Sequence, residues 1–193
     1  MRTRYSIYES LSNIFDLIKT KILWQKARLI RHPFYCRGRK SMVFGEGLTT
    51  GRNCRFDMPG TDKTLFFGKN VNIGDNNHIV AFKKVVIGDN CLIASKVFIS
   101  DTNHGAYDNS DKSSNPDFPP NARKLISKPT IIGNNVWIGE NVVILAGSFI
   151  GEGCVIGANS VVTGIHGDGE ILVGAPAKVL KKWNKEQKKW VRV

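Results

Sequence analysis

The chain has 193 residues, 41% of them apolar, and a formal charge of +12. That is enough chain for one domain with its own core, and the apolar share is ordinary for a globular protein. No apolar run nears the roughly 18 residues of a spanning helix, no cleavable leader follows the basic start, and no nucleic-acid motif accompanies the charge. The expectation is a cytoplasmic protein that binds no nucleic acid. The charge is uneven, with net +8 in residues 1–40, −2 in 41–177 and +6 in 178–193. Basic ends on a near-neutral body suit a phosphorylated cofactor or an anionic membrane surface.

Residues 1–40 open with an amphipathic stretch. Ile7, Leu11, Ile14, Ile18 and Ile22 recur at helical spacing, with Phe15 beside them. Arg4, Lys19, Lys21, Lys26 and Arg28 flank this stripe. The plain expectation is a helix whose stripe packs on the rest of the fold as a cap. The alternative is a helix lying in a bilayer interface.

Residues 41–176 carry an internal repeat of six. Phe67, Ile73 and Ile79 form one run, and Ile87, Ile93 and Ile99 another. Ile132, Ile138, Ile144, Ile150, Ile156 and Val162 form an unbroken third. Neither a helix nor a long strand has that period, but a short strand followed by a corner does. The aliphatic residue points inward. Gly and then Asn or Asp serve the corner, because they tolerate left-handed backbone. A second inward position lies two residues earlier, at Val85, Cys91, Val97, Val136, Val142, Ser148, Cys154 and Ser160, and Cys54 stands likewise before Phe56. That makes three of the four cysteines small core residues. With Cys36 they form no C-x-x-C pair, which weakens zinc and dithiol readings. Three hexads make one triangular coil, and stacked coils give three flat parallel sheets.

The repeat stops at Ile99 and resumes near Ile132. Between them lies a polar loop at residues 101–129, longer than a structureless connection usually is, and such loops are often functional. It contains His104. An imidazole is the side chain best able to accept a proton near neutral pH. It could activate a hydroxyl for direct attack on a thioester held beside it, with backbone N–H groups receiving the oxyanion. At the far end, residues 177–193 are basic and read as a second capping helix.

The motifs 85–99 (VVIGDNCLIASKVFI), 100–105 (SDTNHG), 132–143 (IGNNVWIGENVV), 156–163 (IGANSVVT) and 173–178 (VGAPAK) stand in that order. Together they resemble the hexapeptide-repeat acyltransferases over about residues 65–182. The chain looks most like the branch that O-acetylates lipopolysaccharide O-antigen or other surface polysaccharide. The resemblance implies a left-handed parallel β-helix, acetyl-CoA as co-substrate, no metal, a homotrimer, and a sugar acceptor, free or lipid-linked. It implies His104 as general base and Trp137 beside the active-site tunnel. It points to Ala158 and Thr163 along the pantetheine arm, and to Lys178 and Lys181 near the phosphates. Asn77 and His78, one coil before the loop, are candidates for acceptor contact. Gly164 stands where the galactoside group carries a basic residue, and Ala81 and Phe82 where it carries a sugar-contacting acid, which argues against a free galactoside.

Three rivals share parts of this pattern. A γ-type carbonic anhydrase needs three histidine ligands, and His32, His78, His104 and His166 contain no closely spaced pair. An antibiotic-inactivating acetyltransferase shares the loop histidine and the Trp motif. A non-enzymatic β-helix scaffold shares the fold alone.

Overall fold

The computed structural model describes residues 5–108 and 113–193. Arg4 and residues 109–112 of the loop lie outside it. The hexads close into a triangular coil. Its first turn contributes Leu29–Ile30, Phe34–Arg37 and Met42–Phe44, one strand to each of three parallel sheets. Its sixth turn contributes Val155–Ile156, Val161–Val162 and Ile165–His166. The coil therefore begins inside residues 1–40, earlier than the sequence boundary. In its first turn Arg31 follows Ile30 and Arg37 follows Cys36, so only Phe44 is followed by the corner glycine, Gly45.

Inward residues align from turn to turn. In the first sheet Ile73 faces Ile93, then Ile138, Ile156 and Leu172. All five are buried, and so are Cys54, Cys91, Cys154, Ser148 and Ser160 at the second inward position. Ser148 is satisfied there by donating its hydroxyl to the Leu145 carbonyl at 2.6 Å. Burial pushes the Cys54 thiol up to about 11 and the Cys91 and Cys154 thiols upward as well. These thiols are protonated and enclosed, so none is a candidate nucleophile.

The corners divide their labour in a way the sequence reading did not separate. Seven left-handed positions fall on asparagine, at Asn53, Asn70, Asn76, Asn90, Asn135, Asn141 and Asn159, and others fall on Lys96 and on glycines such as Gly147 and Gly153. The glycine after each aliphatic residue is needed for close stacking instead. A Cβ on Gly88 would lie 2.6 Å from the Gly133 carbonyl carbon one turn away. The asparagine side chains also bond along the axis, as from Asn141 to Asn159 at 2.8 Å.

Both ends depart from expectation. Helix α1 spans Ile7–Leu23, opened by a Ser6–Glu9 capping box. Its stripe does not pack on the coil. Ile7, Leu11, Ile14, Ile18 and Ile22 are all exposed, whereas Asp16 and Thr20 are buried. The helix docks by its polar face because the first turn offers it polar partners. Thr20 Oγ1 accepts the Ile30 N–H at 2.9 Å. Asp16 sits 3.0 Å from His32 Nδ1 and 3.3 Å from Arg52 Nη1. The coil end is plugged by Trp24, which packs on Phe34 and Phe44 at ring separations of 5.6 and 6.0 Å. Among the described residues no helix is long and apolar enough to cross a membrane.

The expected C-terminal helix over residues 177–193 is a β-hairpin. Ala177–Asn184 pairs antiparallel with Glu170–Gly174, and Lys189–Arg192 pairs with it in turn. The strand Glu170–Gly174 ends the last turn with a free edge, and pairing satisfies its backbone groups. That tertiary demand overrides the helix-favouring lysines. Val179 packs against the core, Lys182 Nζ meets Glu170 at 2.8 Å, and Trp183 stacks edge-on to Trp190 at 5.5 Å.

Candidate active site

The loop leaves the second sheet after the strand Phe98–Ser100 and returns to the third at Thr130–Ile132. Its base is a short antiparallel stem, Thr102–His104 against Leu125–Ser127. The anchor of this stem is Asp101, which is fully buried. Its carboxylate accepts three consecutive backbone N–H groups, from Phe82 at 2.9 Å, Lys83 at 2.7 Å and Lys84 at 2.6 Å. Its carbonyl accepts the Lys128 N–H at 2.8 Å, tying outgoing and returning chain to one point. A buried carboxylate is tolerated here because all of this charge meets donors.

His104 stands at the end of that stem with its imidazole exposed. Its own carbonyl accepts the Tyr107 hydroxyl. Arg123 donates to the same Tyr107 oxygen at 2.8 Å and to the Phe118 and Pro116 carbonyls, gathering the loop around it. Beside the histidine a recess of about 220 Å³ is lined by Asn103, Gly105, Ala106, Tyr107, Ile126 and Lys128 among others. Asp101, Tyr107 and Arg123 were not singled out in the sequence. An acid two residues past the last inward Ile, inside SDTNHG, was the available signal for Asp101.

The other candidates fall on two further parts of the prism. Trp137 faces outward and is 52% exposed. Across the first sheet it sits in one row with Leu92, Val155, Ile171 and Lys181. Lys178 pairs with Val173, one pair beyond Leu172 and Val179 on the same two strands. Strands lie about 4.8 Å apart, so Trp137 and Lys181 are about 14 Å apart along the sheet. Such a spacing suits an extended anionic cofactor. The C-terminal hairpin that replaced the expected helix is what puts both lysines on this surface. Ala158 is exposed at the corner that follows Val155–Ile156, and Thr163 is exposed at the corner between second and third sheets. That is the corner from which the His104 loop leaves, two turns away. The same corner lies opposite the first sheet in a triangular coil. One chain therefore does not bring His104 to Trp137.

Asn77 must be withdrawn as an acceptor contact. It is buried, its amide donates to the Gly74, Asp75 and Ala94 carbonyls, and its oxygen accepts the Val97 N–H. It fixes two corners and has nothing to offer a ligand. His78 is outward and half-exposed, 2.9 Å from Asp57 Oδ2 and with its ring tilted against Phe98 at 5.4 Å. Arg55 donates to the same Asp57 oxygen at 2.6 Å. Because Phe98 begins the strand that leads into Asp101, His78 borders the loop's root. A recess of about 630 Å³ beneath α1 contains none of these residues. Among the described residues no three His, Cys, Asp or Glu side chains are grouped to hold a metal.

Comparison with known proteins gives the family. The profile of the bacterial transferase hexapeptide family (six repeats) matches residues 129–164. A relative from Escherichia coli K12, provisionally named the lipopolysaccharide biosynthesis O-acetyl transferase WbbJ, is 43% identical over 97% of this chain and 95% of its own. Galactoside O-acetyltransferase of the same organism is 34% identical over 81% of this chain and 74% of its own. In fold, the chain resembles the N-acyltransferase AntD of Bacillus cereus, solved with dTDP and 3-hydroxybutyryl-CoA. The TM-score is 0.69 at 21% identity, covering 97% of this chain and 93% of that one. The chain belongs to the hexapeptide-repeat transferases, built on the left-handed parallel β-helix, and is an acetyltransferase.

Proposed function

We propose that the protein transfers the acetyl group of acetyl-CoA to a sugar hydroxyl during synthesis of O-antigen or another surface polysaccharide. It does so in the cytoplasm, on a free or lipid-linked acceptor. The reading rests on one observation above all: an exposed imidazole, His104, held at the tip of a stem that the buried Asp101 carboxylate pins to the coil. The similarity to WbbJ over nearly the whole chain supports the polysaccharide acceptor.

His104 takes the proton of the acceptor hydroxyl as its oxygen attacks the thioester carbonyl carbon. The tetrahedral oxyanion is received by backbone N–H groups. Its collapse breaks the C–S bond, and the imidazolium returns its proton to the departing CoA thiolate. No covalent enzyme intermediate is required. Lys178 and Lys181 pair with the cofactor's phosphates, while Trp137, Ala158 and Thr163 border its arm. His78 contacts the acceptor. Since His104 and Trp137 lie on opposite parts of one prism, the working site combines the loop of one subunit with the first sheet of the next. A head-to-tail contact of this kind closes into a ring, and the family resemblance implies a ring of three with three equivalent sites.

Mass-spectrometric detection of acetyl transfer to de-O-acetylated polysaccharide fragments tests this, with His104→Ala as control. Transfer to a macrolide and to no sugar would turn the reading to antibiotic inactivation. Absence of transfer to any acceptor would leave it unsupported.

A further inference from the structure

The unusual feature outside the candidate site is α1. An amphipathic helix normally buries its apolar side, and this one buries its polar side. Ser12 accepts Arg52 Nη2 at 3.0 Å, Asn13 accepts Arg31 Nε at 3.3 Å, and Asp16 and Thr20 are bound as described. A helix turns about 100° per residue, which sets Ile7, Leu11, Ile14, Ile18 and Ile22 opposite Asp16 and Thr20. Their exposures are 83, 62, 56, 54 and 69%. The helix cannot roll this stripe inward without breaking the Asp16–His32–Arg52 cluster. The outward stripe is about 25 Å long and is edged by Tyr8 and Phe15.

We infer that this face docks on an anionic lipid surface. Charge decides between the possible occupants. Lys19 lies along one edge of the stripe, 4.5 Å over the Phe15 ring, and Lys21 along the other. The two acids of residues 1–40 are both engaged elsewhere, Glu9 with Ser6 in the helix cap and Asp16 in the buried cluster. A second copy meeting this face with its own α1 would set one segment of net +8 against another. An anionic membrane meets the same charge with attraction, and a helix with a basic border and an apolar face suits a bilayer interface. The inference deepens the reading of a lipid-linked acceptor by placing the enzyme at the surface where such acceptors lie. Its test needs no catalysis, so its failure leaves the acetyl-transfer reading standing.

The experiment is flotation of the full-length protein with phosphatidylcholine vesicles, with and without phosphatidylglycerol. The protein should float with the anionic vesicles at low salt, stay down with neutral ones, and be released as salt rises. The double variant Leu11→Gln/Ile18→Gln should lose flotation while keeping its melting temperature, since neither side chain is buried against the coil. A wild-type protein that stays at the bottom at low salt, or a double variant that floats equally well, overturns the proposal. So does a double variant whose sedimentation coefficient drops through loss of a subunit contact, because the face would then belong to a second copy.

Discussion

The coil and the loop that interrupts it are built on opposite principles. In the coil every inward position repeats, so Ile93, Ile138 and Ile156 stack with near-identical neighbours above and below. In the loop nothing repeats, and a single buried carboxylate on Asp101 fixes the path. Stability is therefore spread over many equivalent residues, and chemistry is concentrated in a few singular ones. Changes in the two regions should separate cleanly between melting temperature and turnover.

The largest expected effect is in the loop. His104→Ala should lower turnover about 10²-fold or more, with melting temperature and acetyl-CoA affinity nearly unchanged. Steady-state kinetics beside calorimetry would show this, and near-normal turnover would point to His78 as the base. Ile138→Ala should do the reverse, losing about 2–5 kcal/mol of stability with normal turnover in the fraction that remains folded. Denaturant unfolding reads the loss. Asp101→Asn should fall between the two. It leaves a backbone donor opposed, costing about 1–3 kcal/mol, and it loosens the stem, so turnover should drop roughly 10- to 100-fold. If stability falls and turnover per folded enzyme does not, Asp101 is merely a brace. The smallest effect is on the first sheet. Lys178→Ala/Lys181→Ala should weaken acetyl-CoA binding several-fold and flatten its salt dependence, because exposed charges are screened within about 8–10 Å at physiological salt. Unchanged affinity by titration calorimetry would remove both from the cofactor's path.

The same contrast governs what the sequence discloses. The coil was legible because a period of six leaves a visible trace in Ile132 through Val162, and the outward Trp137 followed from its place beside an inward Ile. The loop that carries His104 was legible as the longest break in that period. Asp101 was not, because its three donors are backbone groups of Phe82, Lys83 and Lys84, far away in the chain. Asn77 was misjudged for a similar reason. A polar residue near a corner reads as available, but its amide serves the carbonyls of two stacked turns. The ends failed for want of periodicity. Residues 177–193 have the composition of a helix, yet the open edge at Glu170–Gly174 recruits them as strands. The helix at Ile7–Leu23 was legible, and the side on which it docks was not. That side depends on Ile30, His32 and Arg52, none of which belongs to the helix.

The central claim is that His104 of one subunit works with the Trp137 face of the next. The direct test mixes two variants impaired in different halves of the site, assayed at an acetyl-CoA concentration too low to saturate the second. One carries His104→Ala, and the other carries Trp137→Ala with Lys178→Ala and Lys181→Ala. Unfolded together in equal amounts and refolded, they should assort at random, so that each mixed trimer has one site with both intact halves and about one quarter of all sites are restored. Acetyl transfer should return to about that fraction of the wild-type rate, above the residual rate of either variant refolded alone. No recovery in verified mixed trimers, or full activity from a wild-type monomer, would contradict the account.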